Sequence, residues 1–247
     1  MGTQPVVYNV ANFTKPAPGQ PALLTSDDVG TMFHEFGHAL HGMFAAQRYG
    51  SLSGTAVARD FVEFPSQFNE YWRLHPEVLR NYARHYQTGA PMPQALADRI
   101  KRAATFNQGY AFGEILAAAK LDLQWHALKA SDPRQDIDAF EDRALKEMGL
   151  ATDLVPPRYR TSYFRHIWSN GYSAAYYAYV WSEMLDSNTW EWFQSHGGLT
   201  RANGDRFRDM VLSRGNTMEL AGMYRAFLGR DPDTGPLLRK KGFAAAN

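Results

Sequence analysis

Cysteine is absent from the 247 residues, which excludes disulfide scaffolds, thiolate metal sites and a cysteine nucleophile together. Any metal held by this chain must use His, Asp or Glu. An excess of one charge is missing too, since 26 Lys and Arg against 25 Asp and Glu leave a net charge of +1. Proteins that recognise phosphate-rich partners carry a basic surplus, so nucleic acid is not expected as a partner. No long hydrophobic run is present, and the most apolar charge-free stretch, Tyr172 to Trp181, is far too short to span a bilayer. The opening Met1-Gly2-Thr3-Gln4-Pro5 lacks a basic region followed by an apolar one. The expectation is a cytoplasmic chain with no membrane partner.

Packing material, by contrast, is abundant. Hydrophobic residues make up 45% of the chain, with 15 Phe, 13 Tyr and 6 Trp, enough for a substantial core. A folded chain of this length hides roughly 70% of the surface its unfolded form exposes. No repeat period or low-complexity tract appears, so residues 1–247 are expected to form one region.

Periodicity makes that region mainly α. Val6, Tyr8 and Val10 alternate onto one face, which predicts a short strand over 5–13. Thr25-Ser26-Asp27-Asp28 offers a capping box before an apolar-rich helix running from Val29 to about Gln47. A loop over 49–55 precedes a second helix at 59–73, in which Pro65 either introduces a kink or sits near the true start. Further helices are expected at 75–86, 93–129, 172–195, 203–213 and 217–228. Ser131-Asp132-Pro133 and Val155-Pro156-Pro157 read as turns between helices.

His34-Glu35-Phe36-Gly37-His38 fits the pattern H-E-x-x-H on the first of these helices. Positions i and i+4 stack one turn apart, so both imidazoles can reach one Zn²⁺, while Glu35 supplies a base beside that Lewis acid. With 8 His and 10 Glu in the chain, composition alone yields about 0.01 such matches. The bland alternative is a helix with two internally satisfied histidines. A third ligand is needed for a catalytic site. His41 lies past the second turn and fits a tetrahedron poorly, and the metzincin pattern fails because it needs glycine at His41 and histidine at Phe44. Asp60, Glu63 and Glu70 all qualify by type, and spacing does not choose among them.

A second constellation is His166 followed by Tyr172, Tyr176 and Tyr179, the tyrosines spaced i, i+4 and i+7 behind Gly171. That spacing predicts one shared helical face. By pattern alone such a stripe is core packing. A phenol is also a neutral hydrogen-bond donor suited to a developing oxyanion.

The stretch from His34 to Gly42, followed by Leu52-Ser53-Gly54-Thr55 and by Arg59-Asp60-Phe61-Val62-Glu63-Phe64-Pro65-Ser66-Gln67, resembles the active-site region of the thimet oligopeptidase family of zinc metallopeptidases. Tyr82 to Tyr86, Phe106 to Tyr110, Val155 to Arg160 and Leu212 to Asn216 resemble its bacterial peptidyl-dipeptidase branch. The resemblance runs from about Gln4 to Gly242. It implies a zincin-like, multi-helical catalytic region with a small β element near the N-terminus, matching only the C-terminal part of the longer family proteins. It further implies one Zn²⁺ per chain on His34, His38 and Glu63, with Glu35 as the base. His166, Tyr172, Tyr176 and Tyr179 become substrate-binding residues, with His166, Tyr176 and Tyr179 assisting catalysis. Ser169 and Asn170 depart from the glycine-rich loop that usually precedes these tyrosines. The implied activity is release of C-terminal dipeptides from short peptides, with the missing N-terminal part of the family fold as a partner. An oligopeptide endopeptidase of the same family is one alternative. A non-catalytic helical module, its metal site closed by His41 or Glu70, is the other.

Overall fold

Thr25 opens the first helix by exchanging hydrogen bonds with Asp28: the Asp28 N–H donates to the Thr25 hydroxyl at 3.1 Å, and the Thr25 N–H donates to the Asp28 carboxylate at 2.9 Å. Two of the orphan amides at the helix start are satisfied in this way. In the computed structural model, which describes residues 5–152 and 154–243, this capping box begins α1 (Ser26–Met43). Ten more α-helices follow among the described residues: α2 (Arg59–Glu70), α3 (Pro76–Tyr82), α4 (Gln94–Ala103), α5 (Gln108–His126), α6 (Ile137–Glu147), α7 (Arg165–Ser169), α8 (Ala178–Ser195), α9 (Arg201–Phe207), α10 (Leu220–Leu228) and α11 (Gly235–Lys241). The fold is mainly α, as the periodicity predicts. No helix among the described residues is long and apolar enough to cross a membrane.

Several boundaries differ from expectation for identifiable reasons. The expected strand at 5–13 is irregular chain, with Val6, Tyr8 and Val10 at 90%, 81% and 72% exposed. A strand needs a paired edge to satisfy its backbone, and the one β-bridge among the described residues joins Arg84 to Pro91 instead. The long helix expected at 93–129 breaks between α4 and α5, where Asn107 takes a left-handed φ of 55°. Pro65 lies inside α2, which starts at Arg59 and ends in a 3₁₀ turn over Tyr71–Leu74. The helix expected at 203–213 is α9 followed by a π-turn at Arg208–Leu212.

The chain divides into two compact units, one comprising 1–106 with 182–247 and the other 107–181. In the first, α2 turns Phe61, Val62, Phe64 and Phe68 into the interior. Phe64 meets Phe207 and Tyr224 edge-on at 5.8 and 5.3 Å, while Phe68 lies 5.0 Å from Phe193 and 4.8 Å from Phe207. These rings fasten α2 to α8, α9 and α10, so the helix has one fixed orientation. A further tie joins two motif stretches, because the Asn216 N–H donates to the Leu52 carbonyl at 2.9 Å. Gly215 makes that approach possible, since a Cβ there would stand 2.1 Å from the Leu52 oxygen. In the second unit Ala118 and Ala119 of α5 pack with Phe164, Ile167 and Tyr176, and Leu121 packs with Phe140 and Ala144 of α6.

Because Phe64 is fully buried among aromatic edges, Phe64→Ala should destabilise the protein by about 3–5 kcal/mol. Denaturant unfolding checks this through a lower midpoint at an unchanged slope.

Candidate metal centre

α1 carries His34 and His38 one turn apart, their rings edge-on with centroids 5.0 Å apart. α2 brings in Glu63, which is 4% exposed, and its Oε2 lies 3.2 Å from His34 Nε2 and 3.2 Å from His38 Nε2. The three donor atoms all fall within 4.8 Å of one another. Bonds of 2.0–2.1 Å place neighbouring ligands of tetrahedral zinc about 3.3 Å apart, so this donor set and spacing fit the ion. His34, His38 and Glu63 can therefore hold a metal. Among the three carboxylates open by type, Glu63 occupies the converging position, Glu70 contacts the other side of His34, and Asp60 stands outside the group.

The approach of α2 to α1 depends on a missing side chain. A Cβ on Gly37 would stand 2.6 Å from Ser66 Cα, 2.9 Å from the Pro65 carbonyl and 3.0 Å from Asn69 Cβ. Backbone can thus lie against backbone here, and the short reach of Glu63 suffices. Asn69 Nδ2 donates to the Phe33 carbonyl at 2.6 Å and ties the two helices on one side of this seam. Ser66, fully buried, holds its hydroxyl 2.8 Å from the Glu63 carbonyl and 3.2 Å from Glu63 Oε2. Spacing could have signalled these neighbours, because Glu63, Ser66 and Glu70 sit at i, i+3 and i+7 on one face of α2.

His34 is flanked by carboxylates at both ring nitrogens, with Glu70 Oε1 2.8 Å from Nδ1 and Glu63 Oε2 3.2 Å from Nε2. An imidazole can donate from both nitrogens only as the cation. Burial opposes that charge, but Glu63 and Glu70 outweigh it and push His34 from 6.5 up to about 10. A proton thus fills the role of a cation between the two acids. The outer carboxylate on Nδ1 also fixes the ring so that Nε2 faces Glu63. His41 behaves differently. It is fully buried outside the group, and burial first, then His38, pushes it down to about 4, so it stays neutral.

The tyrosine stripe lies in the second unit and is not a helical face. α8 begins only at Ala178, so Tyr172 and Tyr176 belong to the turn before it and Tyr179 alone is in its first turn. Their rings gather nonetheless: Tyr172 stacks on Tyr179 at 5.4 Å, Tyr176 lies 5.0 Å from Tyr179, and His166 of α7 is 5.6 Å from Tyr176 and 6.0 Å from Tyr172. Within this turn the Ala174 and Tyr176 amides each donate to the buried carboxylate of Asp122 in α5, at 2.9 Å. Nothing in the local pattern points to Asp122, which is 52 and 54 residues upstream of its two partners. Burial, then Tyr159, holds the Tyr176 phenol well above its usual range, so it remains a protonated donor.

Three outcomes follow from the seam and its proton. Gly37→Ala should force α1 and α2 apart and lower metal affinity at least about tenfold while the helices persist, as competition with a chelating dye and circular dichroism would measure. Metal uptake must expel the His34 proton, so affinity should rise about tenfold per pH unit between pH 7 and 9, and calorimetry in buffers of different ionisation enthalpy should find about one proton released at pH 7.5. The same raised pKa stabilises the metal-free fold below pH 6.5, and that contribution fades as pH climbs through about 10.

Comparison with known proteins adds ancestry to this geometry. Residues 1–243 match the family model for peptidase family M3. The chain is 54% identical over 240 residues to dipeptidyl carboxypeptidase of Escherichia coli (strain K12), covering 97% of this chain and 35% of that protein. It is 36% identical over 244 residues to oligopeptidase A of the same organism, again with 97% and 35% covered. Thimet-like oligopeptidase of Dictyostelium discoideum is 35% identical over 245 residues, with 96% and 35% covered. The chain thus spans about a third of the length of the curated relatives it matches. With its paired histidines and buried glutamate inside the matched residues, the chain belongs to peptidase family M3.

Proposed function

We propose that this chain carries a zinc-dependent peptidase site that releases C-terminal dipeptides from oligopeptides. The observation that carries the reading is the convergence of two imidazole Nε2 atoms on one buried carboxylate oxygen, next to a glutamate, in a chain of peptidase family M3. The dipeptide product is supported by the 54% identity to a protein named dipeptidyl carboxypeptidase. The 36% identity to a protein named oligopeptidase A is lower, which sets the alternative of an oligopeptide-cleaving enzyme of the same family second.

His34, His38 and Glu63 would hold the zinc ion, which when bound would supply a Lewis acid for amide hydrolysis. Glu35, the half-buried residue after His34, takes the proton of the attacking water and passes it to the leaving amine nitrogen. Glu70 keeps the His34 ring turned, and Ser66 keeps the Glu63 carboxylate turned. The family resemblance gives His166, Tyr172, Tyr176 and Tyr179, whose rings gather in the second unit, the role of substrate-binding residues, and their phenols are neutral donors of the kind that suits a developing oxyanion. Short peptides are the substrates in this reading, and the further length that the relatives carry completes the surface that confines them. A purely structural site would need a fourth protein ligand. Glu70 is engaged on the far nitrogen of His34 and His41 lies outside the donor group, which disfavours that alternative.

Glu35→Gln tests the reading directly. It should retain one zinc per chain and lose at least about a hundredfold in turnover, because the base disappears while the ligands remain. Undiminished peptide hydrolysis by this variant, or no zinc in the parent protein, would overturn the proposal.

A further inference from the structure

Asp122 is fully buried in α5 and takes no part in the chemistry above. Its Oδ1 accepts the Ala174 N–H at 2.9 Å, and its Oδ2 accepts the Tyr176 N–H at 2.9 Å. Oδ1 also faces His126 Nδ1 at 2.8 Å, one helical turn along α5. Both oxygens are therefore committed, and two of their three partners are backbone amides of the tyrosine turn.

The turn needs such an acceptor. Ala174 adopts a left-handed φ of 54°, a conformation that an L side chain disfavours and glycine does not. The turn is also tied by the Tyr172 N–H to the His166 carbonyl at 3.1 Å, by the Ser173 hydroxyl to the Ile167 carbonyl at 2.5 Å and by the Ala175 N–H to the Tyr172 carbonyl at 2.9 Å, and none of these three engages the backbone of Ala174. Ala174 is exposed, so packing does not hold it in place. A charged acceptor bonds amides about twice as strongly as a neutral one, and here it captures the amides on either side of Ala175. Tyr172 and Tyr176 flank the strained residue on its two sides. Relaxation of Ala174 would turn their rings away from Tyr179 and His166.

We propose that Asp122 is the positioning residue of the tyrosine cluster, fixing the left-handed turn that sets the Tyr172 and Tyr176 side chains for substrate. It acts through those tyrosines and touches no substrate itself. Its effect on rate rests on the peptidase reading, whereas its hold on the turn does not. An asparagine of equal size cannot replace it, because Asn offers one acceptor oxygen and would present an NH₂ group to the second amide.

Asp122→Asn in the zinc-loaded protein provides the test, with peptide kinetics, zinc analysis and amide hydrogen exchange read together. The expected result is unchanged zinc, kcat reduced about 10- to 100-fold with a smaller change in KM, and exchange of the Ala174 and Tyr176 amides faster by at least about tenfold. Ala174→Gly added to this variant should recover part of the lost kcat, because glycine holds the turn without strain. A residue that merely fills the core would lower the melting temperature while leaving kcat of the folded protein and the effect of glycine at 174 flat, and that pattern would overturn the proposal. Unchanged exchange at the two amides would also overturn it. If the unsubstituted, zinc-loaded protein hydrolyses no peptide, the peptidase reading fails, and the exchange data still decide whether Asp122 sets the turn. Should Asp122→Asn not fold alone, recovery of folding by added Ala174→Gly is the expected rescue of the turn, and a double variant that also fails to fold would overturn the proposal.

Discussion

The contact of Gly37 with the backbone of Pro65 and Ser66 is the constraint on which the metal centre depends. Helices ordinarily pack with their axes 8–10 Å apart, kept there by side chains, and glycine at a crossing permits the near end of that range. The gain at this seam is chemical as much as structural. Glutamate has a short reach, and only a close crossing lets Glu63 extend from one helix to the midpoint between two histidines on the other. The aromatic anchoring of Phe64 and Phe68 works in concert, since it fixes how far α2 can rotate. Packing and ligation are thus two results of one alignment, and the glycine inside H-E-x-x-H has a reason separate from the histidines around it.

Four carboxylates are strongly buried in the described residues: Glu63, Asp122, Glu141 and Asp186. Burying a carboxylate is costly unless donors surround it, so each must organise its neighbourhood. Glu141 takes the backbone and hydroxyl of Thr161 at 2.7 and 2.9 Å along with Arg160. Asp186 gathers Tyr71 at 2.8 Å and Lys240 at 3.3 Å. Asp122 takes amides. Those three are met chiefly by groups that cannot leave. Glu63 differs because two imidazoles and a serine hydroxyl converge on a single oxygen, and the charge that balances it is a titratable proton. A balance of that kind can be exchanged for a cation, which is what distinguishes a metal site from a structural ion pair.

This distinction explains how much the sequence reveals. The first helix is legible because its cap is local, Thr25 and Asp28 lying three residues apart. The pair His34 and His38 is legible because helical geometry alone sets i and i+4 together. The choice among Asp60, Glu63 and Glu70 is not legible from spacing, because it turns on how two helices cross. Only the family resemblance selected Glu63, the position where the helix crossing places a carboxylate. The strand expected over 5–13 fails for a related reason: alternation describes a face, yet a strand also requires a partner that no local pattern can supply. Asn107 breaks a helix that composition favours, with the preference of Asn for left-handed backbone as the single local hint.

The tyrosines illustrate a subtler case, in which a periodic pattern is correct about proximity and incorrect about its cause. Spacing of i, i+4 and i+7 predicts that Tyr172, Tyr176 and Tyr179 meet, and their rings do meet, but two of them lie before the helix begins. A regular helix through 172–179 would display the three phenols as a flat stripe. The observed turn folds the Tyr172 ring back onto Tyr179 and brings His166 against both Tyr172 and Tyr176, making a cluster in place of a row. A row presents hydroxyls at the rise of the helix, a fixed spacing that cannot be adjusted. A cluster built on a turn can place its hydroxyls independently, and it needs an outside anchor to do so. The buried carboxylate of α5 is therefore the physical cost of escaping helical periodicity, which is why a distant aspartate, and not the tyrosine pattern itself, determines where these side chains stand.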